Sequence, residues 1–149
     1  MPGSQQIKHI SGHIHPSDTN SKKSIFLKVD RRKLAKRRWR GEAENGEAFG
    51  FDLGHPLTDS DAFYEDETSI YRIRQEAEAV LKIPFSEMKQ AAYYGWMIGN
   101  LHFSAAFDDD CVIAENDPAV RQMLERNHIP FEDTNRVFRP TIVSHGHSH

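Results

Sequence analysis

The chain has little sulfur chemistry to offer. One cysteine, Cys111, stands alone in 149 residues, so no intramolecular disulfide can form. That suits a reducing compartment, and the cytoplasm is the expected location. No apolar run comes near the roughly 18 residues that a membrane span needs, so no membrane partner is expected. The start, "MPGSQQIKHISG", has no basic stretch leading into an apolar block, which argues against a secretory signal. Strong charge of one sign is missing too. Nineteen Lys and Arg against 22 Asp and Glu leave a net charge of −3, too mild to make nucleic acid the expected partner. A Gly-rich phosphate loop, a nucleophile elbow and a His-Glu-x-x-His pair are all lacking. No pair among the acidic residues stands out as catalytic, and the sequence reads as a non-enzyme.

What is present divides at about residue 73. In "KSIFLKVD" the residues Ile25, Leu27 and Val29 alternate with Phe26, Lys28 and Asp30, the period of a strand with one buried face. Asn45-Gly46 lies between two strand-like flanks and predicts a hairpin turn, because this dipeptide takes positive φ cheaply. "SIYRIR" predicts another strand, after an acidic loop "DSDAFYEDE". With no long helical period before about residue 84, residues 1–73 read as a small all-β domain.

Residues 74–140 change character. "EAEAVLKI" predicts a strand that Pro84 breaks. "SEMKQAAYYGWMIG" predicts a helix with Ser86 as N-cap and Glu87 favourable at the positive end of the dipole. Its Met88, Ala91, Ala92, Gly95, Trp96 and Gly99 fall on one face. "LHFSAAF" and "CVIAE" predict strands joined by Asp108-Asp109-Asp110. "DPAVRQMLERN" starts a helix on an Asp117 cap with Pro118 at its first position. Val120, Met123 and Leu124 supply its apolar stripe, and "IPFEDT" predicts a last strand. Strand-helix-strand-strand-helix-strand is the split βαβ order of a ferredoxin-like domain, so the fold class is α+β. Residues 141–149 are polar and read as a flexible tail.

Nine histidines are unevenly spread. His9, His13 and His15 lie in the first twenty residues, where loose order is common. His55 sits in a turn, and His128 ends a helix where a cation suits the dipole. Cys111, inside an apolar strand, reads as inert packing. His102 differs. It follows the first helix in "MIGNLH", where Gly99-Asn100 predicts a chain reversal that pushes the imidazole out at the rim of the small apolar face. One ligand cannot hold a metal, but a two-fold axis brings the same residue from two chains together. The Ala91, Ala92, Gly95 and Trp96 face offers the contact for such a homodimer. The tail "SHGHSH" adds His145, His147 and His149 as candidate ligands from either chain. Imidazole-rich sets suit nickel, copper or zinc, and such binding weakens as the pH falls through about 6.5. A rival reading rests on "RRKLAKRRWR", with seven Lys or Arg in ten positions and one Trp in a strand-like region. It makes the chain a non-metal adaptor docking protein or RNA through residues such as Arg37 and Arg38, with an incidental His tail.

The stretch "AAYYGWMIGNLHFSAAFDDDCVIAENDPAVRQMLERNHIPFED", followed by "FRP" and a His-containing terminus, resembles the UreE family of nickel metallochaperones that serve urease assembly. "NGEAFGFDL" with "LTDSDAFYED" resembles that family's N-terminal β domain more loosely. The resemblance implies an N-terminal domain that contacts partner proteins and a ferredoxin-like domain that dimerises and binds metal. It places the metal-binding histidine at His102 and the C-terminal histidines at His145, His147 and His149. It implies Ni2+ as cargo, with Zn2+ or Cu2+ as ions that such a site also takes in vitro. The implied partners are a second copy, a maturation GTPase of the UreG type and apo-urease with its accessory proteins. This chain departs from the family pattern Gly-Asn-Arg-His at Leu101, which stands where the family has Arg. Its tail is also short, and three histidines argue for one dimer site rather than for storage.

Overall fold

The computed structural model describes residues 6–17 and 21–141, in two compact units, Met1–Glu76 and Ala77–His149. In the first unit, strands β1 (Lys8–Ile10), β2 (Lys23–Val29), β3 (Arg38–Glu42), β4 (Ala48–Asp52), β5 (Ala62–Glu65) and β6 (Ser69–Gln75) form two three-stranded sheets. Their orders are β1-β4-β3 and β2-β6-β5, with β1 parallel to β4 and β2 parallel to β6. The alternation read in β2 is the one observed, with Ile25, Leu27 and Val29 buried. They share a core with the aromatic rings of Phe49, Phe51 and Phe63. Gly46, at φ 92°, closes the hairpin between β3 and β4, a backbone conformation that costs glycine little.

Two expectations for this unit need correction. The acidic stretch is not all loop, because it carries β5. Phe63 is buried there with its ring 5.0 Å from that of Phe49, and this packing outweighs the acidic flanks. The basic run is not a continuous strand either. Asp30 accepts a hydrogen bond from the Lys33 N–H at 2.8 Å and starts a one-turn helix, α1 (Arg31–Leu34), which buries Leu34. Only Arg38, Trp39 and Arg40 of the run enter β3.

The second unit contains β7 (Glu78–Pro84), α2 (Met88–Asn100), β8 (Ala105–Phe107), β9 (Cys111–Glu115), α3 (Pro118–Arg126) and β10 (Glu132–Arg136). Its sheet has the order β10-β7-β9-β8 and is antiparallel throughout, the ferredoxin-like arrangement. One sheet face carries Leu81, Ile83, Val112 and Ala114, which pack with Tyr94 and Ile98 of α2 and Val120 and Leu124 of α3. Asp117 caps α3 through a 2.8 Å bond from the Ala119 N–H, as the sequence indicates. At the start of α2 the N-cap is Glu87 and not Ser86. The side-chain oxygen of Gln90 accepts from the N–H groups of Ser86 and Glu87 and from the Ser86 hydroxyl. Ser86 therefore donates its hydroxyl instead of capping. The α+β class stands, with a single helical turn inside the otherwise β first unit. Among the described residues no helix is long and apolar enough to cross a membrane.

Candidate metal centre at the end of a helix

The side of α2 that meets the sheet is set by Tyr94 and Ile98. The face carrying Met88, Ala92, Trp96 and Gly99 is consequently turned to solvent. Met88 is 86 % exposed, Trp96 65 % and Phe107 of the neighbouring β8 53 %. Phe107 reaches this face because Gly95 lets it. A Cβ at Gly95 would lie 2.9 Å from the Phe107 ring, closer than atoms tolerate. A contiguous exposed apolar surface of this kind marks an interaction site more often than a bare exterior.

His102 sits at the end of this stripe. The chain reversal falls later than Gly99-Asn100, which belong to the last turn of α2. Leu101 is the C-cap, and His102 itself takes the left-handed conformation at φ 65°. The His102 N–H donates to the Gly99 carbonyl at 2.9 Å, and the Phe103 N–H donates to the Ile98 carbonyl at 3.2 Å. These are the two bonds of a Schellman motif, with histidine in the position that usually holds glycine. Phe103 and Ile98 pack in the same cluster and lock the turn. A non-glycine residue pays about 1–2 kcal/mol in this conformation. The turn nevertheless holds the imidazole outside, exposed to solvent.

Among the described residues no group of three or more His, Cys, Asp or Glu stands together as a metal site. His145, His147 and His149 lie outside the described residues. His13 and His15 lie edge to face with ring centroids 5.3 Å apart, and His55 is exposed in a turn. Cys111 is buried, with its sulfur 3.7 Å from an Asp108 carboxylate oxygen. Burial pushes its thiol up, and Asp108 and Asp110 push the same way, so it is poorly suited to give a thiolate. Arg136 pairs with Asp108 on the same side of the sheet. Trp39, the aromatic of the basic run, is buried and stacked on Phe51 at 4.0 Å. It presents no ring to an incoming base, which removes the aromatic part of the RNA-docking signal while Arg37, Arg38 and Arg40 stay exposed.

One feature escaped the sequence reading. α3 ends as α2 does, with the His128 N–H donating to the Glu125 carbonyl at 3.1 Å and the Ile129 N–H to the Leu124 carbonyl at 2.9 Å. His128 is also left-handed, at φ 55°. The signal was present as "LHF" and "NHI", a histidine directly before an apolar residue at each helix end.

The family model described as "UreE urease accessory protein, C-terminal domain" matches residues 78–149. Curated relatives extend the similarity over the rest. A protein of Bacillus cereus named Urease accessory protein UreE is 31 % identical over 148 residues, covering 96 % of this chain and 98 % of its own length. One of the same name from Corynebacterium efficiens is 31 % identical over 150 residues, covering 96 % and 99 %. A third, from Lysinibacillus sphaericus, is 27 % identical over 146 residues, covering 96 % and 99 %.

Proposed function

Since the chain belongs to the UreE urease accessory protein family, an accessory family and not one of enzymes, we propose that it is a nickel metallochaperone for urease assembly. The observation that carries this reading is His102, an exposed imidazole held in a costly left-handed turn at the end of an exposed apolar stripe. One neutral imidazole is a weak and incomplete ligand set, and Ni2+ needs several nitrogen or oxygen donors. A second copy packed on the Met88, Ala92 and Trp96 face, around a two-fold axis, doubles His102. One or more of His145, His147 and His149 then complete the set. Zn2+ and Cu2+ suit the same donors.

Delivery, unlike storage, requires a site that releases its ion. Ligands split between two subunits and finished by the chain terminus meet that requirement, because each can leave without unfolding a core. Leu101, half-buried at the C-cap, is an apolar neighbour of His102 where the family pattern has a cation. The reading carries with it a cytoplasmic setting, a UreG-type GTPase as the next carrier and the apo-urease complex as the destination. The first unit is the candidate surface for contacts with those proteins.

The test is a Ni2+ titration of wild type and His102→Ala, with molecular mass measured before and after metal. About one tightly held ion per dimer, lost in His102→Ala, is expected. Binding that survives His102→Ala and vanishes when residues 144–149 are removed would sink the proposal, since the metal would then belong to the tail alone.

A further inference from the structure

Between β1 and β2 the chain is fastened to β5 at two places. The Ile14 N–H donates to the Ala62 carbonyl at 2.8 Å. Three residues on, the Ser17 N–H and hydroxyl both donate to the Glu65 carboxylate, at 3.1 and 2.8 Å. Lys22 donates to the same carboxylate at 2.7 Å, and with Ser17 it holds that carboxyl below its usual range. Ile14 is half-buried, while His13 and His15 on either side of it are exposed. This alternation is that of extended chain, in which residues two apart point to the same side. The two imidazoles accordingly meet, edge to face, with ring centroids 5.3 Å apart. Neither ring belongs to the core of this unit.

We propose that His13 and His15 chelate one divalent first-row metal ion in each protomer, at a site separate from the centre built on His102. The spacing carries it. A ligated imidazole nitrogen lies about 2.0–2.1 Å from Zn2+, which puts each ring centroid about 3.2 Å from the ion. Two centroids 5.3 Å apart then subtend an angle of about 110° at the ion, near the tetrahedral value. The side chains have only to turn their nitrogens inward, a rotation that exposed rings make readily. Because the backbone on both sides is fastened, the two rings hold their separation before any ion arrives, which lowers the ordering cost of binding. Among the described residues no third His, Cys, Asp or Glu joins the pair, so water completes the shell. Imidazole donors suit Zn2+, Ni2+ and Cu2+, with Cu2+ the tightest in the general order. Two protein donors hold an ion more weakly than a complete set, which fits transient capture and not retention. The site stands on the first unit alone and does not depend on the nickel reading of His102.

Diamagnetic Zn2+ is the probe, titrated into the full-length protein while the nitrogen resonances of the imidazole side chains are followed. His13 and His15 should shift along one shared curve that saturates at one ion per protomer. His13→Ala and His15→Ala should each weaken that binding at least tenfold, since even the outer-shell partners of metal ligands are worth that much. His102→Ala should leave the curve in place. Both rings are exposed, so the metal-free thermal midpoint should not change, and His13→Gln and His15→Gln repeat the test with closer shape. If the two resonances stay still, or move with different affinities, the pair is a ring contact and the chelate is wrong. Loss of binding in only one of the two alanine variants would overturn it as well, because one imidazole would then suffice. If His102→Ala abolishes the shift, the pair is part of that centre and no separate site exists. In His102→Ala a rise in mass along the same curve would mean an ion bridging two copies, and the chelate within one protomer would fall.

Discussion

α2 and α3 end in the same backbone motif, with a left-handed histidine donating three residues back and a following apolar residue pinned into the core. Their surroundings differ. His102 follows the helix whose exposed face carries Met88 and Trp96, with Phe107 against Gly95 of that helix. His128 borders a polar helix face of Gln122, Glu125 and Arg126, all exposed. Arg121, earlier on the same helix, forms an ion pair with Asp133 that holds the Asp133 carboxyl below its usual range and the guanidinium above. Apolar surface left to solvent costs free energy that a second copy can recover, whereas a hydrated polar face gains little by association. The same turn therefore presents a histidine to a prospective partner at one helix end and to water at the other. Local backbone geometry alone makes neither of them a ligand.

The sharpest way to break this contrast is to charge the apolar face. In a two-fold contact a single Trp96→Glu substitution places two carboxylates near one another, and like charges brought together across an interface cost several kcal/mol. Dimer affinity should fall more than a hundredfold. Tight Ni2+ binding should fall with it at protein concentrations below the new dissociation constant. Gln122→Glu, on the exposed face of α3, should change neither. Sedimentation and metal titration of the two variants check this. A Trp96→Glu protein that stays dimeric with full Ni2+ affinity would show that the α2 face is not where the copies meet.

Much of this architecture was legible in the sequence because the forces were local. The alternation in Ile25, Leu27 and Val29, the Asn45-Gly46 turn and the Asp117-Pro118 start each act within a few residues. One misreading arose where a distant group decided, the others where neighbouring groups competed for the same turn. β5 exists because Phe63 fits against Phe49, fourteen positions away and on another sheet. The α2 cap fell to Glu87 because Gln90 collects the donors around Ser86. His102 does lie just past the end of the helix, but its turn was misplaced. Glycine is the usual left-handed C′ residue, and Gly99 stood three positions too early to serve. The buried Phe138 that follows β10 left almost no trace beyond "FRP", since its burial depends on three strands at once.

The smallest expected effect separates strain from function at the two ends. Glycine at either left-handed position relieves about 1–2 kcal/mol of backbone strain and gives back about 0.5–1 kcal/mol as extra entropy in the unfolded chain. Both histidines are exposed, so little packing is lost with their side chains. His102→Gly and His128→Gly should each stabilise the domain by roughly 0.5–1 kcal/mol, read as a higher urea midpoint. Only His102→Gly should lose nickel. A His102→Gly variant that is stabilised and metal-free would show that the turn keeps a residue unfavourable to the fold because its side chain serves the cargo. Equal stabilisation at His128, with binding intact, would show that the same strain can persist with no metal to justify it. Backbone strain at position 102 would then count as the setting of the site, with the exposed apolar stripe beside it as the feature that distinguishes the two ends.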